Sequence, residues 1–183
     1  LKLLSEDPSP QKPEVAENVT VLNHYDAPLT GALIMGGEDR TVDYDDGDPE
    51  GDCLKLTYAL SGNTIIALAQ PVARGALKDA ASVRLKVKAS AQTQLVIALG
   101  ETPDAPNLEE TSYAYVEQIE AAAGWKELDI PVSRFQLDVG KHDPDGKLTL
   151  EKVQSVVIAD ASAMMAGQRV SNTLWLDELA VVR

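Results

Sequence analysis

The chain has 183 residues, room for one domain with or without a tail, and its 44% hydrophobic content is ample for a core. Sixteen basic against 29 acidic residues leave a net charge of −13, which repels phosphate backbones and anionic lipid and disfavours nucleic-acid and membrane-surface binding. The longest apolar runs fall far short of the ~20 residues that span a bilayer, so membrane insertion is not expected.

Residues 1–18 carry Pro8, Pro10 and Pro13 among Ser, Glu, Lys and Gln; this predicts a flexible arm or linker ahead of a domain at 19–183. A start at Leu1 rather than Met, with no signal-peptide pattern, predicts a piece of a longer chain. A first strand is expected at 19–22, followed by a polar stretch to about Asp52. Short runs with turn signals between them then predict strands at 54–58, 64–69, 82–88, 94–100, 113–119, 127–130, 155–159 and 173–182. In 82–88 the alternation is strict, with Val83, Leu85 and Val87 set for a core and Arg84, Lys86 and Lys88 for the opposite face. Cys53 stands alone and reads as a small residue on a strand. Helical patterning is confined to single turns near 149–153 and 162–166. Period-two patterning at this spacing predicts an all-β fold, an antiparallel β-sandwich or barrel.

Gly124 and Trp125 lead into a short alternating run that ends at Pro131, with Phe135 four residues on. Trp125 is expected to cap the core edge where the chain enters a strand, its N–H reaching a backbone carbonyl. Pro131 ends the ladder where its missing N–H costs nothing, and Phe135 plugs the end of the sandwich. This segment, the run from Asp143 to Asp160 and the closing Asn172–Thr173–Leu174–Trp175–Leu176–Asp177–Glu178–Leu179 resemble the galactose-binding-like jelly roll. The likeness is to its branch holding family 11 carbohydrate-binding modules and complex I intermediate-associated protein 30 domains, over roughly 52–183.

That resemblance implies a non-catalytic carbohydrate-binding-like module that targets a glycan. The alternative is a structural or protein-interaction domain of a larger envelope or assembly protein. Either reading places the module outside the cytoplasm, secreted, periplasmic or at a cell surface. The resemblance also implies a structural Ca²⁺ where first and last strands meet, held by Asp177 with Asp26 or Glu17 as partner. A surface Asp at a strand bulge is the competing explanation of Asp177. The acidic stretches at 43–52 and 143–147 read as turns with a superficial likeness to calcium loops. For sugar, Tyr113, Tyr115 and Glu117 share one strand face by parity, and Arg84, Lys86 and Lys88 share another; on a common sheet they would form a polar groove with two aromatic platforms. A solvated sheet face is the alternative. His24 and His142 have no metal or triad spacing, and no nucleophile elbow or phosphate loop occurs, so no enzyme is expected. A weak polysaccharide lyase using Tyr115, His142 and Arg84 is a third reading.

Overall fold

Alternation becomes two layers. The computed structural model describes residues 18–28, 31–48, 51–103, 110–121 and 124–183; the expected arm lies outside these except for Asn18, whose carbonyl accepts the Arg183 N–H at 3.0 Å. The strands are β1 (Val19–Asn23), β2 (Leu33–Gly36), β3 (Glu38–Asp48), β4 (Gly51–Leu60), β5 (Ile66–Pro71), β6 (Ser82–Ala89), β7 (Thr93–Glu101), β8 (Thr111–Ile119), β9 (Lys126–Pro131), β10 (Gln136–Leu137), β11 (Val153–Asp160) and β12 (Val170–Val182). One sheet runs β3-β4-β12-β6-β9, with β1 also paired to β12, and the other runs β10-β8-β7-β11-β5-β2. Every pairing is antiparallel. Of the sandwich and barrel that the pattern allows this is the sandwich, of the jelly-roll type that the resemblance implies.

The inner faces supply the core. Val83, Leu85 and Val87 from β6 and Leu95, Ile97 and Leu99 from β7 are all fully buried, each a side chain whose burial contributes about 1.5–3 kcal/mol. Cys53, the chain's one cysteine, is buried on β4, in keeping with a small strand residue. Three elements were not foreseen. β2, β3 and β10 are short or polar, and all three lie at sheet edges, where one face and one ladder meet water and no apolar alternation is required. Between β2 and β3 the chain passes from one sheet to the other through Gly36 and Gly37, at φ 75° and 73°. A Cβ at Gly36 would lie 2.0 Å from the Ile65 carbonyl oxygen, so only glycine fits this crossing. Among the described residues helix is limited to α1 (Ser162–Ala166) and two 3-10 turns, Val132–Arg134 and Leu150–Lys152.

The Trp125–Phe135 corner is built largely as expected. β9 ends at Pro131, the Val132 N–H bonds to the Ala81 carbonyl at 3.0 Å, and Phe135 is buried in the core. Trp125 is only partly buried, and its ring lies under the Lys88 ammonium at 5.3 Å.

Candidate functional site

The residues expected to form one groove fall on two different surfaces. Tyr113, Tyr115 and Glu117 pair in register with Leu99, Ile97 and Leu95. Their side chains therefore lie on the inner face of the β8 sheet, with the core. Tyr113 belongs to the core cluster and its hydroxyl donates to Asp143. Burial, then that hydrogen bond, pushes the phenol well above its ordinary value. Tyr115 packs against Phe135 with ring centroids 6.1 Å apart, and the Arg134 guanidinium lies 5.1 Å from its ring. The Tyr115 hydroxyl donates to Glu117, which holds the Glu117 carboxyl below its usual range, and Lys126 pairs with Glu117 at 3.0 Å. Two platforms side by side on an open face are thus replaced by core and rim packing.

Arg84, Lys86 and Lys88 do face outward, but on the other sheet. The register builds a ladder of rows there: Lys55, Trp175 and Lys88; Asp177, Lys86 and Glu127; Arg84 and Asp129. Charges along it are matched, Arg84 with Asp129 at 3.3 Å and Glu127 at 3.7 Å, Lys86 with Glu178 at 2.9 Å. Trp175, which the sequence reading did not single out as a site residue, lies on this face with the Lys88 ammonium 4.4 Å and the Lys55 ammonium 6.0 Å from its ring. The ring faces are thereby engaged with cations of the same surface. The lyase trio does not assemble either, because Arg84 and Tyr115 point from different sheets.

Asp177 has its explanation on this ladder. It stands opposite Lys86, immediately before the register shift between Asp177 and Ala180, where Glu178 adopts φ 48°. Among the described residues no group of three or more His, Cys, Asp or Glu side chains could hold a metal, and Asp26 is exposed. Asp177 and Asp26 are by themselves fewer than the oxygen ligands a calcium ion takes, and Glu17, the other expected partner, lies outside the described residues. At 143–147 the Asp143 carboxylate accepts the Lys147 N–H at 3.0 Å and the Asp145 N–H at 3.3 Å, closing a turn. The side chains at 45–50 of the other acidic stretch lie outside the described ones.

The outer face of the β8 sheet is different in kind. Its outward positions are Gln136 on β10; Ser112, Ala114, Val116 and Gln118 on β8; Gln94, Val96, Ala98 and Gly100 on β7. They continue with Ser155, Val157 and Ala159 on β11, Ala67, Ala69 and Pro71 on β5, and Leu33 and Met35 on β2. None of these is charged, in a chain where one residue in four is; the one carboxylate given beside them is Asp138, just past β10 at the rim, which accepts the Ser112 hydroxyl at 3.2 Å. Register arranges them in rows: two central apolar rows, a glutamine pair on one side, and Ser112, Gly100 and Ser155 on the other. Gly100 keeps the face low, since a Cβ there would meet Ser155 Oγ at 2.2 Å. Leu33 and Met35 on β2 are 56% and 46% exposed and Val116 on β8 is 50% exposed, and between these two apolar margins Ala67, Ala98 and Ala159 form a low floor at 5%, 9% and 6%.

Where the glutamine row meets α1 there is a cleft of about 250 Å³ lined by Gln92, Gln94, Gln118, Ser162, Met165, Ala166 and Val170. Its floor is anchored by a buried polar network between the sheets. Asp160 is fully buried and accepts from the Tyr58 hydroxyl (2.6 Å), Asn172 Nδ2 (3.1 Å), the Ser162 N–H (2.8 Å) and the Ser162 hydroxyl. Burial first, and Asp160 second, push the Tyr58 phenol far up, so it stays a donor at any ordinary pH. Ser162 Oγ in turn accepts the Gln94 N–H at 2.9 Å.

No family model matches the chain, and no curated protein sequence matches it significantly. Solved structures do match in fold. The family 11 carbohydrate-binding module of Clostridium thermocellum, in complex with a β-1,3-1,4-mixed-linked tetrasaccharide, aligns at TM-score 0.68 and 14% identity, over 89% of this chain and 94% of that one. A solution structure of CtCBM11, reported with dynamics and binding studies, aligns at TM-score 0.70 and 15% identity over 90% and 94%. A family 30 module of a cellulosomal cellulase of the same organism aligns at 0.62 and 14% over 90% and 96%. At such identities the likeness establishes the jelly-roll fold. Among the described residues no helix is long and apolar enough to cross a membrane.

Proposed function

We propose that this is a non-catalytic carbohydrate-binding module that lays a neutral polysaccharide across the outer face of the β8 sheet. The observation that carries the reading is the uncharged face itself. A neutral glycan offers C–H faces and hydroxyls, and this surface offers two apolar rows flanked by amides and serines. From β8 to β2 the face spans roughly 20 Å, and its four rows, about six residues along a strand, also about 20 Å, giving on the order of 400 Å². A stable protein–protein interface needs about 800 Å² per partner, so the face suits a slender chain better than a second folded domain. The solved modules of similar fold, one of them holding a mixed-linked tetrasaccharide, support the same class of ligand. Tethered to a catalytic or envelope partner outside the cytoplasm, such a module contributes effective concentration rather than tight binding.

A structural or protein-docking role is the second reading, favoured by the exposed Leu33, Met35 and Val116. Affinity electrophoresis through neutral polysaccharides separates the two. The wild type is expected to be retarded by at least one neutral glycan, equally at low and high salt, because no ion pair is involved. Val116→Asp should abolish retardation, whereas Glu127→Gln on the opposite sheet should not. Retardation that survives Val116→Asp, or that vanishes with salt, removes this face from the function; no retardation in any glycan passes the face to the docking reading.

A further inference from the structure

The cleft beside α1 holds a feature that the flat face does not explain. Among the described residues Gln94 Oε1 is buried there without a hydrogen-bond partner. Buried amide oxygens are nearly always matched, and an unmatched one is costly. The position is also held firmly. The Gln94 N–H is fixed by Ser162 and its carbonyl accepts the Ala161 N–H at 3.0 Å, and Ser162 is itself tied to the buried Asp160. We propose that this cleft is a subsite for a single neutral sugar unit, a chain end or a branch, whose hydroxyl completes the hydrogen bonding of Gln94.

The chemistry of the lining selects that ligand. Three glutamines present amides that both donate and accept, as sugar hydroxyls do. A hydroxyl satisfies Gln94 whichever way its amide is turned. No charged residue lines the cleft, so a uronate or a phosphorylated sugar would be buried without a counter-charge, and the net charge of −13 repels both. Met165 and Val170 supply an apolar wall for a ring's C–H face. The volume, about 250 Å³, is below the roughly 300–1,000 Å³ of sites for larger ligands and admits one ring rather than a chain. The subsite rests on the reading of the adjoining face as a glycan surface, and it would decide which terminal or branching sugar the module prefers.

The test uses the whole chain and methyl glycosides of glucose, galactose, mannose and xylose, followed through the side-chain amide signals of the glutamines by NMR, with glucuronic acid as the charged comparison. At least one neutral glycoside is expected to shift the Gln94 and Gln118 amides saturably, and glucuronic acid none. Gln94→Met, close in shape, should weaken that binding about 2- to 12-fold, the range that one net hydrogen bond supplies. Gln118→Met, at an exposed position that cannot unfold the protein, should weaken it too, and Glu127→Gln should leave it unchanged. Saturable shifts without retention of any polysaccharide would keep the subsite and remove the face. Absence of shifts from every neutral glycoside, or unaltered affinity in both glutamine variants, would overturn the subsite while leaving polysaccharide retention by the face to be judged on its own.

Discussion

Replacing Asp160 with Ala probes the joint between the two sheets. The carboxylate is fully buried and takes four donated hydrogen bonds, from Tyr58, Asn172 and, twice, Ser162. Asn172 keeps other acceptors, Thr93 Oγ1 at 2.8 Å and the Tyr58 hydroxyl oxygen at 3.2 Å. The Tyr58 hydroxyl and the Ser162 N–H lose the one acceptor that the geometry gives them among the described residues, while the Ser162 hydroxyl, which lines the cleft, loses its own but can turn to water. Each orphaned buried donor costs about 1–3 kcal/mol, so with the small cavity left behind the total is roughly 3–5 kcal/mol. That is a large part of the roughly 5–15 kcal/mol by which a domain is stable. For a chain of this length it corresponds to a melting shift of about 6–20 °C. Differential scanning calorimetry and urea titration both read it. Asp160→Asn keeps the shape and one carbonyl acceptor and should lose less than half as much. A melting temperature for Asp160→Ala within about 2 °C of wild type would refute the reasoning, because the donors would then have found water.

Two further outcomes follow from the same geometry. Tyr113→Phe removes one hydrogen bond that, with those from the Asp145 and Lys147 backbone, holds the Asp143 carboxyl below its ordinary 3.8 against the opposing cost of burial. A depressed carboxyl stabilises the fold above its unfolded value and loses that contribution as pH falls through its folded one. The variant should therefore melt a few degrees lower at pH 6, by about 1 kcal/mol, with the gap closing below about pH 3.8; a gap that persists to pH 2 would assign the loss to packing. Chelation with EDTA should leave the melting temperature unchanged, and Asp177→Ala should destabilise the fold by no more than about 1 kcal/mol, the worth of a partly exposed charge opposite Lys86. A fall of many degrees on chelation that calcium restores would put the metal back at the strand junction.

Residue order alone determined the class of fold, because a half-buried strand must alternate. The runs at 82–88, 94–100 and 155–159 became β6, β7 and β11 nearly to the residue, and Pro131 and Phe135 marked the corner by their own chemistry. Parity, however, states which residues share a face and not which face is inside. On β8 both parities are partly apolar, Tyr113, Tyr115 and Ile119 against Ala114 and Val116, so the strand itself does not choose. The choice came from its neighbour, where Leu95, Ile97 and Leu99 leave no doubt and the register carries Tyr113, Tyr115 and Glu117 inward with them. Asp177 likewise read as a charge stranded among apolar residues until β6 placed Lys86 opposite it. The uncharged face and its glutamine cleft are assembled from six strands and one helical turn that are far apart in the chain. Each strand contributes only one to four neutral residues, too few to stand out locally, and only cross-strand register gathers them into a surface.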